Sequence, residues 1–207
     1  MLWSKIFVIE VNLGSYRTAT VWWSYRKLLA YIPPVPHNYF TSILSSFCKF
    51  VSKRATVLSR EEYEGEVTPI FTVIKLLQVL YAEPGRIDLV HYVRKFIYRE
   101  LLSNFEWRVL TIVDSIPPGK VTTYSVVAKV LNTSPRVVAR VLMRNPWPLV
   151  IPCHRVVMSS GFVGGYLGSR DLWWMKAELL RKEGVEVIDG RVMEKYILRD
   201  LSTNRIS

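Results

Sequence analysis

The apolar positions change period along the chain, and each change predicts an element. Lys5–Val11 and Arg17–Tyr25 are rich in Val, Ile, Trp and Thr around the turn residues Asn12-Leu13-Gly14-Ser15. That pattern predicts a two-stranded hairpin. Pro33-Pro34-Val35-Pro36 reads as a break. Beyond it, Tyr39–Val51 carries Phe40, Ile43, Leu44 and Phe47 at helical spacing, with Cys48 beside them. Cys48 is therefore expected to be a small core residue. Pro69–Tyr81 is strongly apolar and fits either a helix or a strand. Pro84-Gly85 marks a turn, and Asp88–Leu102 predicts another helix. Phe105–Ile116 has the amphipathic spacing Trp107, Val109, Leu110, Val113 and Ile116, and Pro117-Pro118-Gly119 ends it.

Two short helices follow. Thr122 or Thr123 can cap a helix over Tyr124–Leu131, whose inner face is Val127, Val130 and Leu131. After the turn Asn132-Thr133-Ser134-Pro135, Ser134 suits an N-cap and Pro135 a first helical position. The second helix is expected to run to about Arg144. At about 100° per residue, Val137, Val138, Val141 and Leu142 share one side, and Arg136, Arg140 and Arg144 form the adjacent stripe. A helix pair with an arginine stripe on its second member reads as a helix-turn-helix; an ordinary helix pair with a solvated basic face fits the same spacing.

Composition narrows this picture. The chain has 207 residues, half of them apolar, which is enough for two modest domains with real cores. The division expected is 1–100 and 101–207. Net charge is +11, which suits a polyanionic partner, although a generally basic soluble protein would look alike. Cys48 and Cys153 are the only cysteines and there is no Cys-x-x-Cys, so the usual zinc spacings are absent and no metal or cofactor is expected. A Cys48–Cys153 disulfide stays open, though their contexts look unrelated. Lys75 interrupts the longest apolar run, so no membrane-spanning helix is expected. The first ten residues read as a strand rather than a signal peptide. Together these point to the cytoplasm, or the nucleus in a eukaryote, and a single glutamine, Gln78, hints at a thermophilic source.

The most informative stretch is Asn145-Pro146-Trp147-Pro148-Leu149-Val150-Ile151-Pro152-Cys153-His154-Arg155-Val156-Val157. A cysteine followed by His154 and Arg155 has cationic neighbours expected to favour its thiolate, the nucleophilic form. This run closely resembles the active-site signature of the O6-alkylguanine-DNA alkyltransferases, and the likeness extends from about Leu101 to Gly184. The resemblance implies an α+β protein: a small N-terminal sheet-and-helix domain of ribonuclease-H-like kind, then a mainly helical domain with a winged-helix-like helix-turn-helix. It implies irreversible, single-turnover transfer of an alkyl group from O6-alkylguanine, and O4-alkylthymine, in double-stranded DNA to Cys153, after the base has left the stack. It also implies monomeric action associated with the nucleoid, and a thermophilic archaeal member fits the composition.

Residue by residue, the resemblance assigns His154 as the base for the thiol, reached through a water, and Glu183 as the carboxylate orienting it. Glu183 ends a helix predicted over Arg170–Glu183 and closed by Gly184; an ordinary frayed-end glutamate is the alternative. Asn145 corresponds to the asparagine bridging the helix-turn-helix and the active-site turn, and Arg155 is expected to pair with an acid or a carbonyl behind the site. Counting nine positions back from Asn145, Arg136 matches the arginine that fills the gap left by an extruded base. Arg140 and Arg144 would neutralise phosphates. Tyr124 matches a tyrosine that contacts the flipped nucleotide, where a plain core tyrosine is the alternative. Tyr166 would wall the pocket, the carbonyls of Cys153 and Val156 would accept from the guanine amine, and the Leu167 amide would donate to the 6-oxygen. The chain departs from the family at Leu167, where serine is usual, at Ser169, where a second glycine is common, and in a few extra residues around Leu172-Trp173-Trp174. A lesion sensor that binds without transfer is the competing reading, opposed by the presence of Cys153. A cysteine hydrolase is a third, opposed by the direct adjacency of Cys153 and His154.

Overall fold

A computed structural model describes residues 6–23, 27–55 and 68–201. The expected strand ends at Lys5 and at Ser24-Tyr25 lie outside the described residues, and so does the side chain of Cys48. The chain forms two compact units. The first is Met1–Ala82 with Arg86–Leu101 and Pro146–Val150; the second is Glu83–Gly85 with Leu102–Asn145 and Ile151–Ser207.

In the first unit, β1 (Ile6–Leu13), β2 (Tyr16–Trp23) and β3 (Lys27–Pro36) form an antiparallel sheet in that order. Gly14, at φ 63°, closes the β1–β2 turn in the left-handed region that glycine enters freely. Leu28 through Ile32 are buried without alternation, which suits a strand covered on both faces. Helices α1 (His37–Ala55) and α2 (Thr68–Ala82) pack on β3, bringing Phe40, Ile43 and Phe47 from α1 and Leu77 and Leu80 from α2 into the core. The ambiguous segment Pro69–Tyr81 is thus helical.

Two expectations fail here for tertiary reasons. Pro33–Pro36 does not break the structure, because β3 runs through it. Ile32 pairs with Ala19 and Val35 with Arg17, so Pro33 and Pro34 lie in a bulge opposite Thr18. The Thr18 hydroxyl donates to the Ile32 carbonyl at 2.6 Å, and a bulged edge strand tolerates residues without an N–H. The helix expected over Asp88–Leu102 is shorter: α3 covers Ile87–Arg94 and a 3-10 turn covers Arg99–Leu101. Between them the chain bonds the β3 edge, Leu28 N donating to Phe96 O at 2.7 Å and Tyr98 N to Leu28 O at 3.2 Å. Those sheet-type bonds replace helical ones.

In the second unit, α4 (Asn104–Asp114) starts with a full capping box, in which Ser103 and Glu106 satisfy each other's backbone N–H. Strand β4 (Val121–Thr123) leads into α5 (Tyr124–Val130), capped by Thr123, and then α6 (Pro135–Leu142), capped by Ser134 with Pro135 at its first turn. Strand β5 (Val156–Val157) lies parallel to β4 on one side, with β8 (Ile197–Leu198) parallel on the other. Between them come α7 (Trp173–Lys182) and the hairpin of β6 (Val187–Ile188) and β7 (Arg191–Val192). Val121, Val157, Ala177, Leu180 and Ile197 form one core under this sheet. The architecture is a mixture of helices and small sheets. Among the described residues, no helix is long and apolar enough to cross a membrane.

Candidate active site

The site is built around a turn that α6 delivers. Asn145, only 2% exposed, donates from Nδ2 to the Ile151 carbonyl at 2.9 Å, and its side chain also hydrogen-bonds the Cys153 thiol. The backbone then tightens: Cys153 N donates to Ile151 O at 2.8 Å and Arg155 N to Pro152 O at 2.9 Å. These bonds wind Cys153–Arg155 into a single 3-10 turn, whose period sends consecutive side chains in different directions. Cys153 lines a cavity of about 380 Å³, while His154 is fully buried.

Behind the turn, charges are paired rather than free. His154 Nε2 lies 2.9 Å from Glu183 Oε1. Arg155 clamps the same carboxylate, Nε to Oε2 at 2.9 Å and Nη2 to Oε1 at 2.7 Å, and its Nη1 donates to the Ile116 carbonyl at 2.6 Å. Burial pushes the Glu183 carboxyl up, yet its bonds to His154 and Arg155 bring it down to about 2. An ionised carboxylate only accepts, so His154 carries its proton on Nε2. Its Nδ1 has no hydrogen-bond partner among the described residues. Burial also lowers the His154 pKa below its usual value, with Glu183 opposing. The resting ring is therefore neutral, with a lone pair on Nδ1.

This corrects the expectation of a thiolate held by cationic neighbours. Burial raises the Cys153 thiol above its usual range, while the Asn145 bond and the charge of Lys176 act in the lowering direction. Arg155 is engaged by Glu183 and Ile116, and His154 is uncharged. At rest the sulfur is a thiol.

Glu183 reaches this position because α7 ends there. Gly184 N donates to Arg181 O at 2.9 Å and Val185 N to Leu180 O at 3.0 Å, with Gly184 at φ 81°, the pairing of a Schellman cap. The helix is shorter at its start than Arg170–Glu183. Leu172 stands at its N-cap, Trp173 and Trp174 form its first turn, and the Trp173 ring lies tilted against Phe162 at 6.1 Å between ring centroids.

Lys176 was not singled out in the sequence, and it is 1% exposed. Its Nζ donates to Val156 O at 2.6 Å and to the Tyr124 hydroxyl at 3.4 Å, and the residue lines the cavity. A buried lysine needs such partners. The available signal was its position seven residues before Glu183, two helical turns earlier on the face of Leu172 and Leu179. The Val156 carbonyl thus already has one donor, although a second lone pair remains.

Of the residues singled out, Cys153, Asn145, Tyr124, Tyr166 and Leu167 line one cavity, with Ala139, Leu142 and Met143 of the α6 region as its apolar wall. His154 and Glu183 lie behind it, and Val156 is buried beside it through Lys176. The wall loop is held by reciprocal bonds between Tyr166 and Ser169 at 2.8 and 2.9 Å. A Cβ on Gly165 would come within 2.5 Å of the Ser169 carbonyl, so no side chain fits there. Leu167 sits at φ 49°, a left-handed conformation rare for leucine. Arg136, Arg140 and Arg144 are all exposed along α6 and the residues just after it. Among the described residues no cluster of three His, Cys, Asp or Glu could hold a metal ion.

Residues 104–185 match the family model described as the DNA binding domain of 6-O-methylguanine DNA methyltransferase. The chain is 51% identical over 129 residues to a methylated-DNA–protein-cysteine methyltransferase of Methanothermobacter thermautotrophicus, covering 61% of this chain and 70% of that protein. It is 50% identical over 91 residues to the protein of that name from Archaeoglobus fulgidus, covering 42% of this chain and 61% of the other. The crystal structure of O6-methylguanine-DNA methyltransferase from Pyrococcus kodakaraensis strain KOD1 superposes with a TM-score of 0.60 at 26% identity, over 87% of this chain and 100% of that one. The chain belongs to the methylated-DNA–protein-cysteine methyltransferase family.

Proposed function

We propose that this protein repairs DNA directly, moving an alkyl group from O6-alkylguanine onto Sγ of Cys153 once per molecule. The observation that carries the reading is the placement of Cys153 in a 380 Å³ cavity with His154 and Glu183 bonded behind it. The family membership supplies the chemistry this arrangement would perform.

The reacting carbon is inside a stacked duplex, so the base must turn out before sulfur can reach it. Arg136, exposed on α6, would occupy the vacated space, with Arg140 and Arg144 on phosphates. In the cavity, Tyr166 and Leu167 would wall the guanine, with the Leu167 amide donating to its 6-oxygen. The thiol proton would pass, through a water, to Nδ1 of neutral His154, whose cationic form Glu183 then stabilises. Sulfur attacks the alkyl carbon as the carbon–oxygen bond breaks, and the departing guanine takes up a proton. Net, the thiol hydrogen is exchanged for the alkyl group. Tyr124 and Lys176, in contact at 3.4 Å, are placed to supply that proton and to stabilise charge on the leaving base. The thioether is not reopened, so activity would be stoichiometric; the protein would act as a monomer. O4-alkylthymine would enter by the same route. The α5–α6 pair beside the β4–β5–β8 sheet would act as a winged-helix-like reader, and the β1–β3 sheet with its helices would be the ribonuclease-H-like part.

The test is a mass measurement. Incubation with a duplex carrying O6-methylguanine should add one methyl to the peptide bearing Cys153, in no more than stoichiometric amount. Retention of the duplex without a mass change would leave a lesion sensor instead. Cys153→Ala should bind the duplex and acquire no methyl; a methyl found elsewhere would remove Cys153 as acceptor.

A further inference from the structure

The turn that walls the cavity carries a residue its backbone does not favour. Tyr166 and Ser169 exchange backbone bonds at 2.8 and 2.9 Å and pair as an antiparallel bridge. Leu167 and Gly168 are therefore the two central residues of a tight hairpin turn, and both have positive φ, 49° and 82°. Turns of that kind are ordinarily filled by Asn, Asp or Gly, because in the left-handed region a Cβ crowds the following carbonyl oxygen. Gly168 meets that demand and Leu167 does not. Nor is Leu167 a core residue: it is half-buried and lines the cavity of about 380 Å³ together with Cys153. A Cβ on Gly168 would lie 3.4 Å from Met143 Cγ, so the tip of the turn rests against the end of α6. Leu167 thus extends the apolar wall made by Ala139, Leu142 and Met143.

We propose that Leu167 is a specificity-determining residue whose side chain favours apolar O6-substituents larger than methyl. This deepens the alkyl-transfer reading above, and rests on it, by naming the class of group the cavity prefers. A strained conformation that earns no core packing points to a use at the site. With the Leu167 amide at the 6-oxygen, the next atoms out are those of the substituent, and the Leu167 side chain is the apolar surface attached to that amide. A methyl group reaches little of it. Each further methylene removes more apolar area from water against Leu167 and the α6 wall. The bond changes stay those of methyl transfer: sulfur–carbon forms, carbon–oxygen breaks, and the thiol proton leaves on the guanine.

The experiment compares the full chain as wild type, as Leu167→Asn and as Leu167→Met. Asparagine suits the left-handed backbone and removes the apolar reach; methionine keeps that reach. The substrates are the free bases O6-methyl-, O6-propyl- and O6-butylguanine. Two quantities are read: the second-order rate constant of transfer to Cys153, followed on its peptide by mass, and the dissociation constant of each base in a Cys153→Ala background, by calorimetry. Dividing variant by wild type cancels the intrinsic reactivity of each alkyl group. Full burial of one methylene is worth roughly fourfold, and Leu167 supplies part of the surface. The Leu167→Asn deficit should therefore widen by about twofold for each added methylene, in both readouts, while Leu167→Met stays near wild type. Urea denaturation should show Leu167→Asn at least as stable as wild type. A deficit equal for methyl and butyl would overturn the proposal. So would an unfolding constant raised more than about threefold, because the leucine would then be held for packing. A wild type that acquires no alkyl group from these bases or from a duplex would refute the functional reading instead, and the dissociation constants would still decide the part played by Leu167.

Discussion

Two sets of arginines in the second unit put the same side chain to opposite uses. Arg155 is buried, with a bidentate grip on Glu183 and a bond to Ile116 O. Arg136, Arg140 and Arg144 are exposed along α6 and its end. A guanidinium cannot shed its charge, so burial forces it to find an internal anion, and exposure leaves it available to an external one. The first arrangement ties the Cys153–Arg155 turn to α7; in the proposed reading the second would meet DNA. The same contrast separates the two carboxylate-facing groups behind Cys153 from the sulfur itself, which is buried without a full counter-charge and therefore stays protonated.

The sharpest way to break the comparison is to take the anion from Arg155. Glu183→Gln leaves that charge buried with only neutral partners, and stability should fall by about 3–5 kcal/mol, measured by urea denaturation. Methyl transfer by the folded fraction should also slow, since His154 loses the carboxylate that stabilises its charged form. A loss below about 1 kcal/mol would mean the Glu183–Arg155 pair is not what holds the turn.

Acid should do part of the same thing without mutation. The Glu183 carboxyl is held at about 2 against an ordinary 4.5, so its contribution is present above about pH 4.5 and is lost as pH falls toward 2. That contribution is on the order of 3 kcal/mol. His154 acts in the same direction, because its lowered pKa means the unfolded chain accepts a proton that the folded ring refuses. Stability should therefore start to decline below about pH 6.5. In Glu183→Gln the segment of the curve between pH 4.5 and 2 should flatten; an unaltered curve would place the acid sensitivity elsewhere.

Removing exposed arginines should give the mirror image. Arg136→Ala should leave stability within about 0.5 kcal/mol, yet reduce methyl transfer from a duplex on the order of tenfold or more, as expected for one lost charged contact. Reaction with free O6-methylguanine base should change little. Equal losses on both substrates would argue that Arg136 does not stabilise an extruded base. The smallest effect belongs to Arg140→Ala: affinity for undamaged duplex should weaken evenly across sequences, and the slope of log affinity against log salt should shrink by about one. An unchanged slope would remove Arg140 from the phosphate contacts.

The candidate site was more legible than the fold around it. Asn145, Cys153, His154 and Arg155 announce themselves because they are close in sequence and are rare residue types in sequence with one another. Glu183 was reachable from the helix stop at Gly184, since a carboxylate at a helix C-terminus opposes the dipole and asks for a partner. Lys176 escaped notice because a lysine amid Leu172, Met175 and Leu179 looks like one of many basic residues until a carbonyl and a hydroxyl are brought to it. Likewise Pro33–Pro36 looks like a break until a bulge opposite Thr18 absorbs it, and Phe96–Tyr98 looks helical until the edge of β3 offers better bonds.

What the residues settle by themselves is local: the caps at Thr123 and Ser134, the stop at Gly184 and the arginine stripe. Each depends on bonds among residues a few positions apart, so identity and spacing suffice. The protonation of Cys153 and His154, the sharing of Glu183, and the hydrogen bond from the Trp147 indole to the Leu28 carbonyl were decided only by the folded chain. Those outcomes depend on desolvation and on contacts between residues 28 to 119 positions apart, and neither quantity exists until distant segments have packed.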